Sequence, residues 1–134
     1  MELLDKVVDL ENEASAFGFR WENTDQIMSQ IQSECLEINE HLGQGVLAAN
    51  QKELQEEIGD LLHAVFSLCV FCNLSPRQTL ADTLDKFERR LNAVKAISEE
   101  QGLTHLNGFS FDELMAIWGK AKVRVMSNLQ KKGP

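Results

Sequence analysis

The sequence predicts an all-α protein, an antiparallel helical bundle of about five helices. Three observations carry this. Apolar residues recur at steps of three and four in each long segment, and none alternates apolar with polar residues long enough for a half-buried strand. Helix-start signals repeat along the chain. Proline occurs only twice, once as the last residue, so little interrupts the helices.

The elements follow in order. A first helix is predicted near 2–16. Asn23, with Gln26 three residues on, opens a second over 24–43. Its apolar stripe is Met28, Ile31, Cys35, Ile38 and Leu42, and Gly43 and Gly45 separate it from the next. Asn50 and Glu53 open a third over 51–73, striped by Leu54, Ile58, Leu61, Val65, Leu68 and Cys72. Ser75, Pro76 and Gln78 open a fourth over 76–100, with Pro76 at the tolerated first helical position. Its stripe is Leu80, Leu84, Phe87, Leu91 and Val94, and Gly102 stops it. Ser110 and Glu113 open a fifth over 111–131, striped by Phe111, Met115, Trp118, Val125 and Leu129. Residues 102–110 are the best candidate for a mobile linker. The short link between the second and third helices favours an antiparallel hairpin.

The 134 residues suffice for one domain, 1–134, with one core. No apolar run approaches the ~20 residues that span a bilayer, so no membrane role is expected. The N-terminus lacks a basic region and a small-residue cleavage site, and the three cysteines sit in apolar surroundings. Both point to a cytoplasmic protein with reduced thiols. Cys69-Val-Phe-Cys72 has redox-motif spacing but lies mid-helix in apolar company, which suits packing. The net charge of −8 argues against a nucleic-acid partner. Residues 1–60 hold 14 acids against 3 bases, while residues 61–134 hold 7 acids against 10 bases. This asymmetry fits a metal ion with an anionic ligand, and fits equally a surplus of solvated acids.

Glu57 falls inside the third helix's stripe, Glu53 and Asp60 lie along its edge, and Glu56 points away. Glu34 and Glu37 sit three apart on the second helix, as Glu57 and Asp60 do on the third. Residues three apart are helix neighbours. Two carboxylates about 5 Å apart repel by about 3 kcal/mol at an effective dielectric of ~20. Four together call for a cation, and hard oxygen donors without converging thiols or imidazoles suit Mg²⁺, with Mn²⁺ as substitute. Surface acids paired with lysines are the alternative. A di-iron bundle would need two Glu-x-x-His motifs, and only Asp60-Leu-Leu-His63 comes near. His63 reads as a surface or interface residue. His41, four residues after Glu37, reads as a solvated side chain or a partner to the acids.

Lys86 and Arg90 flank the fourth stripe, Arg89 faces solvent, and Lys122 lies within the fifth stripe. Basic stems that cover apolar surface explain each one singly. Together they would supply cations for phosphates. Trp118 reads as a core residue or a base-stacking one. Trp21 reads as a ligand cover or a staple at the start of the second helix.

These residues resemble a known family. Ile31-Gln-Ser-Glu34-Cys-Leu-Glu37 followed by Glu53-Leu-Gln-Glu-Glu57-Ile-Gly-Asp60-Leu-Leu is similar to the E-x-x-E and E-x-x-D signature of MazG-like nucleoside triphosphate pyrophosphohydrolases. That family stands with the all-α dUTPases and the phosphoribosyl-ATP pyrophosphohydrolases. Lys86-Phe-Glu-Arg-Arg90 resembles its K-x-x-R-R segment, and Trp118-Gly-Lys-Ala-Lys122 its W-x-x-x-K segment. Trp21-Glu-Asn-Thr resembles the start of the first motif helix, and the resemblance spans roughly residues 17–125. Ser33 stands where many members carry an extra glutamate, and Leu91-Asn-Ala-Val replaces a His-Pro-His segment.

The resemblance implies a bundle completed by dimerisation, as a homodimer or homotetramer. It implies Mg²⁺ on Glu34, Glu37, Glu57 and Asp60, and hydrolysis of a (d)NTP to a (d)NMP and pyrophosphate in nucleotide-pool house-cleaning. Lys86, Arg90 and Lys122 become phosphate contacts, Trp118 a nucleotide neighbour, and Glu53 a candidate for positioning water. A narrow all-α dUTPase or dCTPase shares the same metal chemistry. A catalytically silent nucleotide-binding helical dimer is the alternative from another class.

Overall fold

The computed structural model describes residues 2–45 and 50–131. It contains five helices: α1 (Leu3–Phe17), α2 (Thr24–Gly43), α3 (Gln51–Phe71), α4 (Pro76–Glu100) and α5 (Phe111–Lys131). No strand occurs among the described residues. The chain divides into two compact units, residues 1–80 and 81–134.

The helix starts show how local chemistry sets the boundaries. Asn23 Oδ1 accepts from the Gln26 backbone N–H at 3.0 Å, while Gln26 reaches back to the Glu22 N–H at 2.8 Å. Ser75 Oγ accepts from the Gln78 N–H at 3.1 Å, with Pro76 fully buried. Ser110 and Glu113 form a reciprocal capping box, with contacts of 3.1 and 3.0 Å. The backbone hydrogen bond from Ser110 holds the Glu113 carboxyl below its ordinary value. Asn50 departs from expectation. It makes no side-chain cap bond, and Glu53, its expected partner, stands 3.5 Å from His41 instead. α1 ends at Gly18, whose φ of 101° lets Phe19 N–H donate to Ala14 O at 2.9 Å.

In the first unit, α2 and α3 pair as the expected antiparallel hairpin. His41, near the end of α2, faces Glu53 and Glu57 near the start of α3. α1 packs on α3 through a polar anchor. Ser67 Oγ donates to Glu11 Oε1 at 2.6 Å, and His63 Nε2 lies 2.7 Å from the same oxygen. Arg77, in the first turn of α4, pairs with Asp5 at 2.9 Å and with Glu2.

The buried faces are rotated from the predicted stripes. On α2 the inward positions are Ile27, Ile31, Glu34, Ile38 and His41, while Met28, Cys35 and Leu42 are exposed. On α3 they are Leu54, Glu57, Leu61, Ala64 and Leu68, while Ile58 and Val65 are exposed. Both helices carry apolar residues on more than one side. The pairing face holds an acid, which a purely apolar stripe passes over.

The second unit has a core of Ala93, Ile97, Ile117 and Ala121, with Val94, Leu106, Phe109 and Val125 packed against it. Residues 102–110 are therefore anchored rather than loose: Leu106 and Phe109 are part of that packing. The predicted stripe positions Leu84, Phe87, Phe111, Met115 and Leu129 are exposed. Glu100 accepts two bonds from Arg124, at 2.6 and 3.1 Å, which hold its carboxyl below the ordinary value. No single described helix is long and apolar enough to cross a membrane.

Candidate functional site

Glu34 sits on the inward face of α2 and is only 7% exposed. Gln30, one turn earlier, donates to its Oε1 at 2.7 Å. Its Oε2 is buried without a partner. Burial pushes this carboxyl above its ordinary value. The Gln30 hydrogen bond pulls it down, and the nearby charges of Glu37 and Asp60 push it up again. The structure thus brings Glu34, Glu37 and Asp60 into one electrostatic neighbourhood on the α2–α3 hairpin. A desolvated carboxylate beside two more is costly unless a cation arrives.

Glu57 occupies the inward face of α3, inside the packing as its position predicted. Its Oε1 lies 3.3 Å from His41 Nε2, and its Oε2 is buried without a partner. Asp60 and Glu37 are exposed. Among the described residues no lysine or arginine pairs with Glu34, Glu37, Glu57 or Asp60. The surface reading thus holds for Glu37 and Asp60 in their exposure, without the lysine partners, and does not describe the buried Glu34. Among the same residues, no three His, Cys, Asp or Glu side chains gather into a ready metal set. The carboxylates fit a hard divalent cation, since two of their oxygens are buried and unpartnered.

His41 was read from the sequence as solvated or as a partner to the acids. Its side chain is only 18% exposed, and it lies between two acids. The signal was present in the spacing. Glu34, Ile38 and His41 share one helix face at steps of four and three. His63 is exposed and spent on Glu11.

In the second unit, Arg90 and Trp118 come together. The Arg90 guanidinium lies over the Trp118 ring with its carbon 5.8 Å from the centroid. Phe87 meets the same indole at 6.0 Å between centroids. Arg90 Nε is buried without a hydrogen-bond partner. Lys86 and Lys122 are exposed, and so is Arg89, as expected. A cleft of about 330 Å³ between α4 and α5, lined in part by Arg89, Asn92, Arg124 and Asn128, touches none of Lys86, Arg90, Trp118 and Lys122. Cys35, Cys69 and Cys72 are free thiols; Cys69 is buried and Cys72 caps α3, so they form no redox pair here.

The profile of the MazG nucleotide pyrophosphohydrolase domain matches residues 22–95. That span holds all four acids with Lys86 and Arg90, and ends before Trp118 and Lys122. The chain is 31% identical over 113 residues to the nucleoside triphosphate pyrophosphohydrolase/pyrophosphatase MazG of Thermotoga maritima, covering 84% of this chain and 41% of that protein. It is 26% identical over 113 residues to the nucleoside triphosphate pyrophosphohydrolase of Escherichia coli K12, covering 84% and 42%. A Bacillus subtilis protein, YabN, is 31% identical over 75 residues, 56% of this chain and 15% of its own length. The chain thus spans about two fifths of the length of the two pyrophosphohydrolases.

Proposed function

Since the chain belongs to the MazG nucleotide pyrophosphohydrolase family, we propose that it hydrolyses nucleoside triphosphates to monophosphates and pyrophosphate with a divalent cation. The observation that carries this reading is the pair of buried, unpartnered oxygens, Glu34 Oε2 and Glu57 Oε2, on a hairpin where no described lysine or arginine answers them. Water adds its oxygen to the α-phosphorus, the bond to the α–β bridging oxygen breaks, and pyrophosphate leaves.

Glu34, Glu37, Glu57 and Asp60 would hold Mg²⁺, or Mn²⁺ in its place. When bound, the ion would neutralise phosphate charge and make the α-phosphorus more electrophilic. Gln30 fixes one oxygen of Glu34 and leaves the other free. Lys86, Arg90 and Lys122 carry the positive charge that the family resemblance assigns to phosphate contact. Trp118, already stacked under Arg90, offers an aromatic surface to a base. Activity on several nucleotides would make this a house-cleaning enzyme of the cytoplasm, where its free thiols persist.

Exposed apolar side chains support an oligomer. Ile58, Leu62 and Val65 form an exposed apolar stripe on α3. A second copy would cover it, and light scattering on the purified protein should return a dimer or tetramer mass. A monomer would remove that part of the reading.

The functional test is pyrophosphate release from the common NTPs and dNTPs and from dUTP, with Mg²⁺. Release from several nucleotides supports the broad enzyme. Release from dUTP or dCTP alone supports the narrow one. No release from any of them leaves modified nucleotides as substrates, or the silent nucleotide-binding dimer.

A further inference from the structure

His41 has no role in the proposed chemistry, yet the fold gives it a place among the acids. It lies in the last turn of α2, and its ring is four-fifths withdrawn from water. Here Nε2 lies 3.3 Å from Glu57 Oε1 and 3.5 Å from Glu53 Oε2. It is aligned for a hydrogen bond with neither. Both neighbours are proton acceptors, and in the tautomer with its proton on Nε2 the ring faces them with a donor. Glu57 then has one oxygen facing a donor and the other, Oε2, buried and free.

We propose that His41 is a positioning residue: standing 3.3 Å from Oε1 of Glu57, it engages that oxygen when the divalent cation binds, so that Oε2 is the one turned toward the ion. Glu53, more exposed, shares the same nitrogen and steadies the ring. The arrangement parallels the one at Glu34, where Gln30 holds one oxygen and leaves the other unpartnered. Each acid that buries an oxygen on this hairpin thus has its second oxygen facing a neutral or cationic neighbour from α2. Outer partners of this kind tune metal affinity as well as orientation. The inference rests on the reading of these acids as cation ligands.

The test uses Mn²⁺ alone, without nucleotide, followed by electron paramagnetic resonance of the free ion. Wild type is compared with His41→Leu, His41→Gln and Glu57→Gln, each checked for helix content by circular dichroism. His41→Leu keeps most of the volume and removes the donor. It should weaken Mn²⁺ binding by about 10–100-fold. His41→Gln restores a donor and should recover most of the loss. In parallel, the Mn²⁺ concentration that half-saturates pyrophosphate release should shift in the same order. Wild-type affinity in folded His41→Leu overturns the proposal, as does a folded His41→Gln that binds as poorly as His41→Leu. If Glu57→Gln binds Mn²⁺ as wild type does, the ligand reading itself fails. Loss in Glu57→Gln with no loss in His41→Leu removes only the role of His41.

Discussion

Glu34 and Glu57 each bury a carboxylate oxygen that nothing in the described chain satisfies, and Arg90 buries a guanidinium nitrogen in the same condition. The two regions resolve this differently. Arg90 lays its charge over the face of Trp118, so a neighbouring ring compensates part of its desolvation. A carboxylate has no such recourse, since the ring face repels negative charge. The acids of α2 and α3 also raise one another's cost, as Glu34 shows. Arg90 is thus compensated in part within its own unit, whereas the acids of the hairpin have no such compensation among the described residues, which is the need that the proposed cation would meet.

The contrast can be broken most sharply at the acids. Glu57→Gln or Asp60→Asn should lower pyrophosphate release by at least about 100-fold, as loss of a charge-stabilising group does. Circular dichroism should still report a folded helical protein. Full turnover in either variant would remove these acids from the site.

A smaller effect is expected on the aromatic side. Trp118→Leu should raise KM about tenfold, within the ~1–3 kcal/mol worth of one base stack, with less effect on kcat. If KM stays unchanged, Trp118 serves packing alone.

Glu34→Gln sharpens the contrast through stability. It keeps an acceptor for Gln30 and removes the charge that burial, Glu37 and Asp60 disfavour. The cation-free protein should gain about 1 kcal/mol, a common exchange between stability and function. Chemical denaturation in EDTA measures it, and a loss of stability would contradict the electrostatic argument.

The smallest effect belongs to the Glu100–Arg124 pair, which is solvent-exposed. Glu100 is held below its ordinary value by Arg124, so its contribution is present above the usual glutamate range. It is lost as pH falls through the lowered value. Glu100→Gln should flatten that part of the melting profile slightly, and an unchanged slope would assign the pair no stability.

Much of this was legible in the chain. Asn23, Ser75 and Ser110 announce their helices because capping is local chemistry. Glu57 was placed inside its stripe correctly because Leu54, Leu61 and Leu68 surround it at helical spacing. The facing of α2 was legible only in part: Ile31 and Ile38 of its predicted stripe do turn inward. Met28, Cys35 and Leu42 of the same stripe are exposed, and the hairpin turns Ile27, Glu34 and His41 inward instead. Periodicity ranks faces by hydrophobicity, so it passes over a face built around an acid. The packing of Leu106 and Phe109 was hidden for another reason: two glycines made their segment look loose, while the partners that hold them lie on α4 and α5.

The most direct test is pyrophosphate release from a mixture of NTPs and dNTPs by the purified protein, first with Mg²⁺, then with EDTA, then with Mg²⁺ restored. The expected result is release that stops with EDTA and returns with the metal, and that Glu34→Gln and Glu57→Gln each diminish. Release that persists in EDTA, or that both variants leave intact, would contradict the claim that these buried carboxylates hold the cation on which hydrolysis depends.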